Sequence, residues 1–261
     1  MILNKKIQSI ETMDVKQILD KEGICIIENF VENNRIPNLR EEFNNMFDNP
    51  SEGIRVHVKK DSLTSKTIDL KRFKFIKNSI FEEISKCKLF KELSKKYLKG
   101  DFTIEKIMLQ KTKFVSKKDM LDKKLAFVPH TDETHFLKFF IYINDVNELN
   151  GPLSVLPGSH IKFKKKRKQW ISMGKNRYDR EKIVNQDLTK MYPIVGKSGT
   201  LIIFDTDVAH KAGVVTENQN RSIARFDFFS NSENYNLFHQ RVLIKIKKLF
   251  NTQARYSKEF N

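Results

Sequence analysis

Cysteine is scarce. The 261 residues contain two, Cys25 and Cys87, and neither falls in a metal-ligand spacing. A thiolate metal site is thereby excluded, and two reduced thiols fit a cytoplasmic protein. Cys25 lies in the apolar run Ile24-Cys25-Ile26-Ile27 and reads as a small buried hydrophobe. Long apolar runs are also missing, so no segment is suited to crossing a bilayer as a helix. The first residues, Met1-Ile2-Leu3-Asn4-Lys5-Lys6, lack the basic-then-apolar order of a secretory signal. The expectation is a cytoplasmic chain. There is no Pro/Gly/Ser linker and no internal repeat, which points to a single domain over 1–261. Acidic residues are in deficit: 32 Asp and Glu stand against 49 Lys and Arg, a formal charge of +17. That field favours anionic partners such as phosphorylated substrates, acidic glycans, lipid head groups or nucleic acid. An AT-rich coding sequence would leave the same excess of Lys alongside Asn and Ile. No recognisable nucleic-acid module accompanies the charge.

What is present is enough apolar material for a core: 39% hydrophobic residues, 21 of them Phe. Up to about residue 100 the pattern is helical with one early strand. Asp14 is placed to cap a helix reaching about Asp20, Gly23 breaks it, and Ile24 to Ile27 form a strand. Asn33 or Asn34 caps the next helix, with Leu39, Phe43 and Phe47 at helical spacing. One further helix is predicted from Ile80 to Leu98, stopped by Gly100. From about 101 to 230, short β-rich segments separated by turn signals take over, at Phe102–Leu109, Phe136–Ile143, Leu153–Leu156, Met191–Val195, Thr200–Phe204 and Ser222–Phe229. Facing sheets in a sandwich or barrel follow. Lys162 to Lys182 read as a long basic connection carrying Trp170 and Tyr178, either stacking on a substrate or pinning the loop to the core. A basic amphipathic helix is predicted at about 235–251. It is suited to resting on an anionic membrane surface.

The chemistry starts at Pro129-His130-Thr131-Asp132. On an extended chain, positions i and i+2 face the same way, so His130 and Asp132 reach one cation. Imidazole plus carboxylate is two thirds of the facial triad of non-haem iron(II) oxygenases. The missing ligand is expected from a distant strand. His210 follows the strand-like Thr200–Phe204 and the turn-like Asp205-Thr206-Asp207, eighty positions after His130. Arg221, eleven positions further on, can grip a carboxylate through two parallel hydrogen bonds. Arg225 shares its face and is the alternative clamp. Lys138 interrupts the apolar run from Phe136 to Ile143. It is a candidate for holding an anionic group if its face lines a cavity, and Trp170 is a second candidate substrate contact. His135 reads as a second-shell or rim residue, and His160 as part of a turn. His57 and His239 have no nameable partners.

Two stretches then stand out together: Ile141-Tyr142-Ile143-Asn144-Asp145, and Asn150-Gly151-Pro152-Leu153-Ser154-Val155-Leu156-Pro157-Gly158-Ser159-His160. With His130-x-Asp132 upstream, His210 and Arg221 downstream, and the opening Gly23–Phe30, the order resembles the phytanoyl-CoA dioxygenase family over about residues 15–230. The resemblance implies a mainly β protein with flanking helices, built on a double-stranded β-helix (jelly-roll, cupin-like) core. It implies iron(II), 2-oxoglutarate and O2, with contacts to the keto acid from Arg221 or Arg225, from Gln110, and from Thr200 or Asn144. Asp132 implies hydroxylation rather than halogenation, because halogenating relatives carry a small residue there. The expected activity is a dioxygenase that hydroxylates an unactivated C–H of a small or carrier-, lipid- or glycan-linked anionic substrate and releases succinate and CO2. Two alternatives stay open: a non-oxidative metal-binding β-helix protein for a sugar or nucleotide, and a nucleic-acid-directed oxygenase.

Overall fold

Strands rich in Ile, Phe and Val need both faces covered, and the chain supplies helices for one face and a second sheet for the other. A computed structural model describes residues 2–3, 11–48, 54–59, 63–69, 79–114, 127, 129–132, 135–172 and 190–230. The strands are β1 (Ile2–Leu3), β2 (Ile24–Ile27), β3 (Ile54–Lys59), β4 (Leu63–Asp69), β5 (Phe102–Lys113), β6 (Phe136–Tyr142), β7 (Leu153–Val155), β8 (Tyr192–Ile194), β9 (Leu201–Asp205), β10 (His210–Ala212) and β11 (Asn220–Ser230). The helices are α1 (Thr12–Glu22), α2 (Ile36–Asp48), α3 (Ile80–Ser85), α4 (Lys88–Leu98) and α5 (His160–Ser172). The major sheet has the order β1-β2-β9-β6-β11-β5-β4-β3, and a minor sheet has β10-β7-β8. Every pairing among the described strands is antiparallel except β1 with β2. This is the jelly-roll arrangement expected from the sequence.

Side-chain alternation divides the major sheet's two faces. Cys25, Ile27, Leu137, Phe139, Ile141, Leu201, Ile203, Ala224, Phe226 and Phe228 join one core with the apolar sides of α1 to α4. Ile24, Ile26, Phe140, Tyr142, Ile202, Phe204 and Ile223 meet Leu153, Val155 and Ile194 of the minor sheet in a second core. Burial pushes the Cys25 thiol up to about 12, as suits a hydrophobe. Phe90 on α4 centres the helix-side core. Its ring lies 4.2 Å from Phe139, 5.6 Å from Phe226, 5.7 Å from Phe228 and 5.7 Å from Phe30.

Several expectations are corrected. The helix predicted from Ile80 to Leu98 is two, because Phe81 and Ile84 do not stay in phase with Phe90. A continuous helix would bring Lys91 to that face instead, so the chain resets at Lys86 and Cys87. Ser79 caps α3, its Oγ accepting from Glu82 N at 3.1 Å. Asp14 sits in the first turn of α1 and not at its cap, which is Glu11. Asn33 and Asn34 lie in a 3-10 turn ahead of α2. The first hundred residues also hold a hairpin, β3–β4, which extends the sheet beyond β5. The basic stretch read as a loop from Lys162 is helical through Ser172, with Trp170 inside α5. Lys, Arg and Gln are good helix formers, and their propensity outweighs the weak apolar periodicity. The helix predicted at about 235–251, with its membrane contact, and Tyr178 and His239 lie outside the described residues. Among those described, no helix is long and apolar enough to cross a membrane.

Truncating Phe90→Ala is expected to cost about 3–5 kcal/mol of folding stability through the cavity left among the four rings. Urea denaturation of the purified protein checks this.

Candidate metal centre between the sheets

His130 and His210 are joined by a two-way backbone pair: His130 N–H donates to His210 O at 2.9 Å, and His210 N–H to His130 O at 2.8 Å. Asp132 N–H donates to Thr206 O at 3.0 Å, so the His130–Asp132 segment is laced to the turn before β10. These bonds place the three ligand atoms within 4.8 Å of one another. Asp132 Oδ2 is 3.8 Å from His210 Nε2, and the imidazole centroids are 4.4 Å apart. Both histidines are buried and Asp132 is half-buried.

The protonation states suit a cation. His210 Nδ1 faces Val208 O at 2.8 Å, so that nitrogen carries the proton and Nε2 turns its lone pair towards Asp132. Burial, and then the positive neighbours His130 and Lys138, hold His210 well below the ordinary imidazole range against the pull of Asp132. It is therefore neutral at pH 7. Burial of Asp132 disfavours its charge, but Lys138, His210, His130 and Arg225 outweigh that and hold the carboxyl far below its usual range. A neutral His210 imidazole, the His130 imidazole and a carboxylate, close together between the sheets, fit a divalent ion of the facial-triad type.

Lys138 is buried on the inter-sheet face, and its ammonium is in ion-pair contact with Asp132 Oδ2. Arg225, on the same face, is bound bidentately by Asp227, Nε to Oδ1 at 2.6 Å and Nη2 to Oδ2 at 2.5 Å. Arg221 is different. One guanidinium nitrogen donates to Gly151 O, while its buried Nε has no partner. The buried hydroxyl Oγ1 of Thr200 also has none. Thr200 and Arg221 flank Tyr142, whose backbone N–H donates to Thr200 O at 3.0 Å and whose register partner is Ile223. Gln110 pairs with Ile223 on β11, so it lies on the same side of the sheet; its amide donates to Met108 Sδ at 3.0 Å. Asn144 is not brought in. Its amide is committed to the backbone of Asn220 and Ser222.

A sequence model of the family described as "Phytanoyl-CoA dioxygenase (PhyH)" matches residues 19–223. The chain belongs to the phytanoyl-CoA dioxygenase family. Curated protein sequences gave no match. Among solved structures, the epimerase SnoN from nogalamycin biosynthesis, complexed with Fe3+, α-ketoglutarate and nogalamycin RO, superposes with a TM-score of 0.57 at 12% identity, over 84% of this chain and 83% of that one. EctD from S. alaskensis with bound Fe gives 0.58 at 14% identity, over 88% and 80%. AviO1 from Streptomyces viridochromogenes Tue57 gives 0.54 at 13%, over 86% and 97%. At such identities the likeness is one of fold. Family membership makes the chain an oxygenase of the iron and 2-oxoglutarate type.

The two family-like stretches have structural work to do around the site. In Pro157-Gly158-Ser159-His160, Ser159 Oγ accepts from Ala209 N–H at 2.9 Å, and Leu156 N–H donates to Ala209 O at 2.9 Å, gripping the residue before His210. His160 Nε2 lies 3.1 Å from Asp20 O, in keeping with the structural part expected of it. Gly151, at φ 66° and against the backbone of Gly213 to Val215, admits no side chain and turns its carbonyl to Arg221.

One group was only partly read in the sequence. His135, read either as a support to the ligands or as a rim residue, is buried, with Nδ1 3.2 Å from Asp205 Oδ1 and 3.0 Å from Asp207 Oδ2. Tyr97 of α4 donates to Asp205 Oδ2 at 2.7 Å. The signal available was Asp205-x-Asp207 at a strand end, with no surface reason for two acids. Burial opposes the His135 charge, yet Asp205 and Asp207 raise it to about 9. Burial likewise opposes the charge on Asp205, and His135 holds it down to about 2. The cluster ties the segment after Asp132 to the turn before His210 and to α4.

His135 contributes stability that is complete below its ordinary 6.5 and is lost as pH rises through about 9. Asp205 contributes stability that is present above its ordinary 3.8 and is lost as pH falls through about 2. His135→Gln is therefore expected to cost about 3 kcal/mol between roughly pH 4 and 6.5, by breaking a buried pair, and less towards pH 9. Denaturant titrations of both proteins across that range give the difference.

Proposed function

We propose that this family member is a dioxygenase that hydroxylates an unactivated C–H bond of a small or carrier-, lipid- or glycan-linked substrate, releasing succinate and CO2. The observation that carries the reading is the His130, Asp132 and His210 set between the sheets, with a neutral His210 imidazole and a charged carboxylate, together with an arginine on the same sheet face whose Nε is unpartnered. His130, Asp132 and His210 would hold iron(II). Iron(II), 2-oxoglutarate and O2 together supply the oxidant that removes hydrogen from carbon. Arg221 and the Thr200 hydroxyl offer two unpartnered donors for the far carboxylate of the keto acid, and Gln110 stands across the sheet from them. Arg225 is the weaker clamp, because Asp227 already occupies its fork. Phe204 sits edge-on to the His210 ring at 5.1 Å, and with Phe140 and Tyr142 it keeps water from that side of the site. A carboxylate at position 132 fills the place that a halide would need. The non-oxidative sugar- or nucleotide-binding alternative gives no use for a buried arginine set to receive a carboxylate. A nucleic-acid-directed oxygenase has no recognition module to support it.

Incubating the protein with iron(II), 2-oxoglutarate and a metabolite extract should yield succinate and a species heavier by one oxygen atom, read by mass spectrometry. His130→Ala and His210→Ala should abolish both. Protein that retains iron but never consumes 2-oxoglutarate across broad extracts would overturn the reading. A product of unchanged mass and altered stereochemistry would replace hydroxylation with epimerisation, the activity named for SnoN. Arg221→Lys should raise KM for 2-oxoglutarate by roughly ten- to a hundredfold, matching loss of about 1.5–3 kcal/mol of charged hydrogen bonding. Arg225→Lys should leave it nearly unchanged. Steady-state oxygen consumption distinguishes the two.

A further inference from the structure

A buried ammonium next to a metal-ligand carboxylate is an unusual neighbour for a dication. Lys138 touches Asp132 through Oδ2, the same oxygen that lies 3.8 Å from His210 Nε2. A metal held by His210 and Asp132 would therefore contest that oxygen with the ammonium. Lys138 is anchored on the inter-sheet face, only 5% exposed, with its ammonium over the rings of Phe136 and Phe204 at 5.4 and 5.5 Å. Asp227, its register partner on β11, is already taken up by Arg225.

Among the described residues, Asp132 and Asp227 are the carboxylates that Lys138 senses on this face, and a metal and Arg225 would engage both. A buried ammonium without a partner is costly, and an oxyanion placed beside Lys138 would pair it again. The start of α5, next to this site, is also cationic. Phe163 at the start of α5 is 2% exposed and packs on Ala209, beside His210, and the residues around it are Lys162, Lys164, Lys165 and Lys166, half-buried or exposed.

We infer that Lys138 is a substrate-anchoring residue: metal binding releases it from Asp132, and it then holds an oxyanion of the primary substrate, a carboxylate or phosphate close to the carbon that is oxidised. This rests on the oxygenase reading above. The test uses the full chain loaded with cobalt(II) and saturated with 2-oxoglutarate, at constant ionic strength. The cobalt absorption spectrum is followed while acetate, inorganic phosphate or neutral acetamide is added. Saturable shifts with acetate or phosphate and none with acetamide are expected, and the tighter of the two names the oxyanion. Lys138→Met should weaken anion binding at least tenfold while taking up cobalt as well as the parent or more tightly, since a competitor for Asp132 is gone. Lys138→Arg should retain anion binding within a few fold, which separates loss of charge from loss of folding. Equal shifts with acetamide, unchanged anion affinity in Lys138→Met, or loss of 2-oxoglutarate binding in its place would each overturn the inference. Failure of the parent protein to bind cobalt or 2-oxoglutarate would instead overturn the oxygenase reading, and this inference with it.

Discussion

Two backbone hydrogen bonds between His130 and His210 carry more of this structure than their number suggests. They join positions eighty residues apart and make the two histidines neighbours on facing extended segments. Because these bonds run through the backbone, they draw on none of the imidazole nitrogens. Everything near them reinforces that alignment. Asp132 is fixed through Thr206, Ala209 is gripped by Ser159 and Leu156, and His210 is oriented by Val208. Strand pairing of this kind positions ligands more tightly than a loop would.

Placing such a set between two sheets confines charge to a dry space. The protein answers by pairing the groups: Asp132 with Lys138, Asp227 with Arg225, and His135 with Asp205 and Asp207. Such pairs add little net stability but are expensive to break, so they specify one arrangement of the surrounding segments. Arg221 and Thr200 differ from these pairs, each keeping a buried polar atom without a hydrogen-bond partner among the described residues. Unsatisfied buried atoms are rare in folded proteins and mark places where something else belongs.

Much of the fold was legible because short apolar runs bounded by turn signals read as strands covered on both faces. Phe136 to Ile143 and Thr200 to Phe204 are such runs, and the Asn-Gly-Pro and Pro-Gly-Ser turns bounded β7 on both sides. The β3–β4 hairpin was missed although Val56 and Val58 alternate with charged residues, because Lys and Arg at every second position read as surface. α5 was missed for the opposite reason: a run of basic residues has helix propensity but almost no apolar phase, and Phe163 is its one buried apolar anchor among the described side chains. The break at Lys86 and Cys87 was visible in the phase slip between Ile84 and Phe90.

By itself the sequence determined the candidate ligand types and their order, since a histidine and an aspartate two apart on an extended chain share a face, and it determined that facing sheets would have to bring His210 to them. It put Arg221 ahead of Arg225 as the clamp without excluding either, and it left Lys138 either solvated or lining a cavity. Only the tertiary structure shows how each is partnered, because the partners come from other strands. Asp227 saturates Arg225, the Gly151 carbonyl leaves Arg221 Nε unpaired, and the segment carrying Asp132 folds over β6 to meet Lys138. A one-dimensional pattern records which face a residue takes, but not which charge from a distant strand will meet it there.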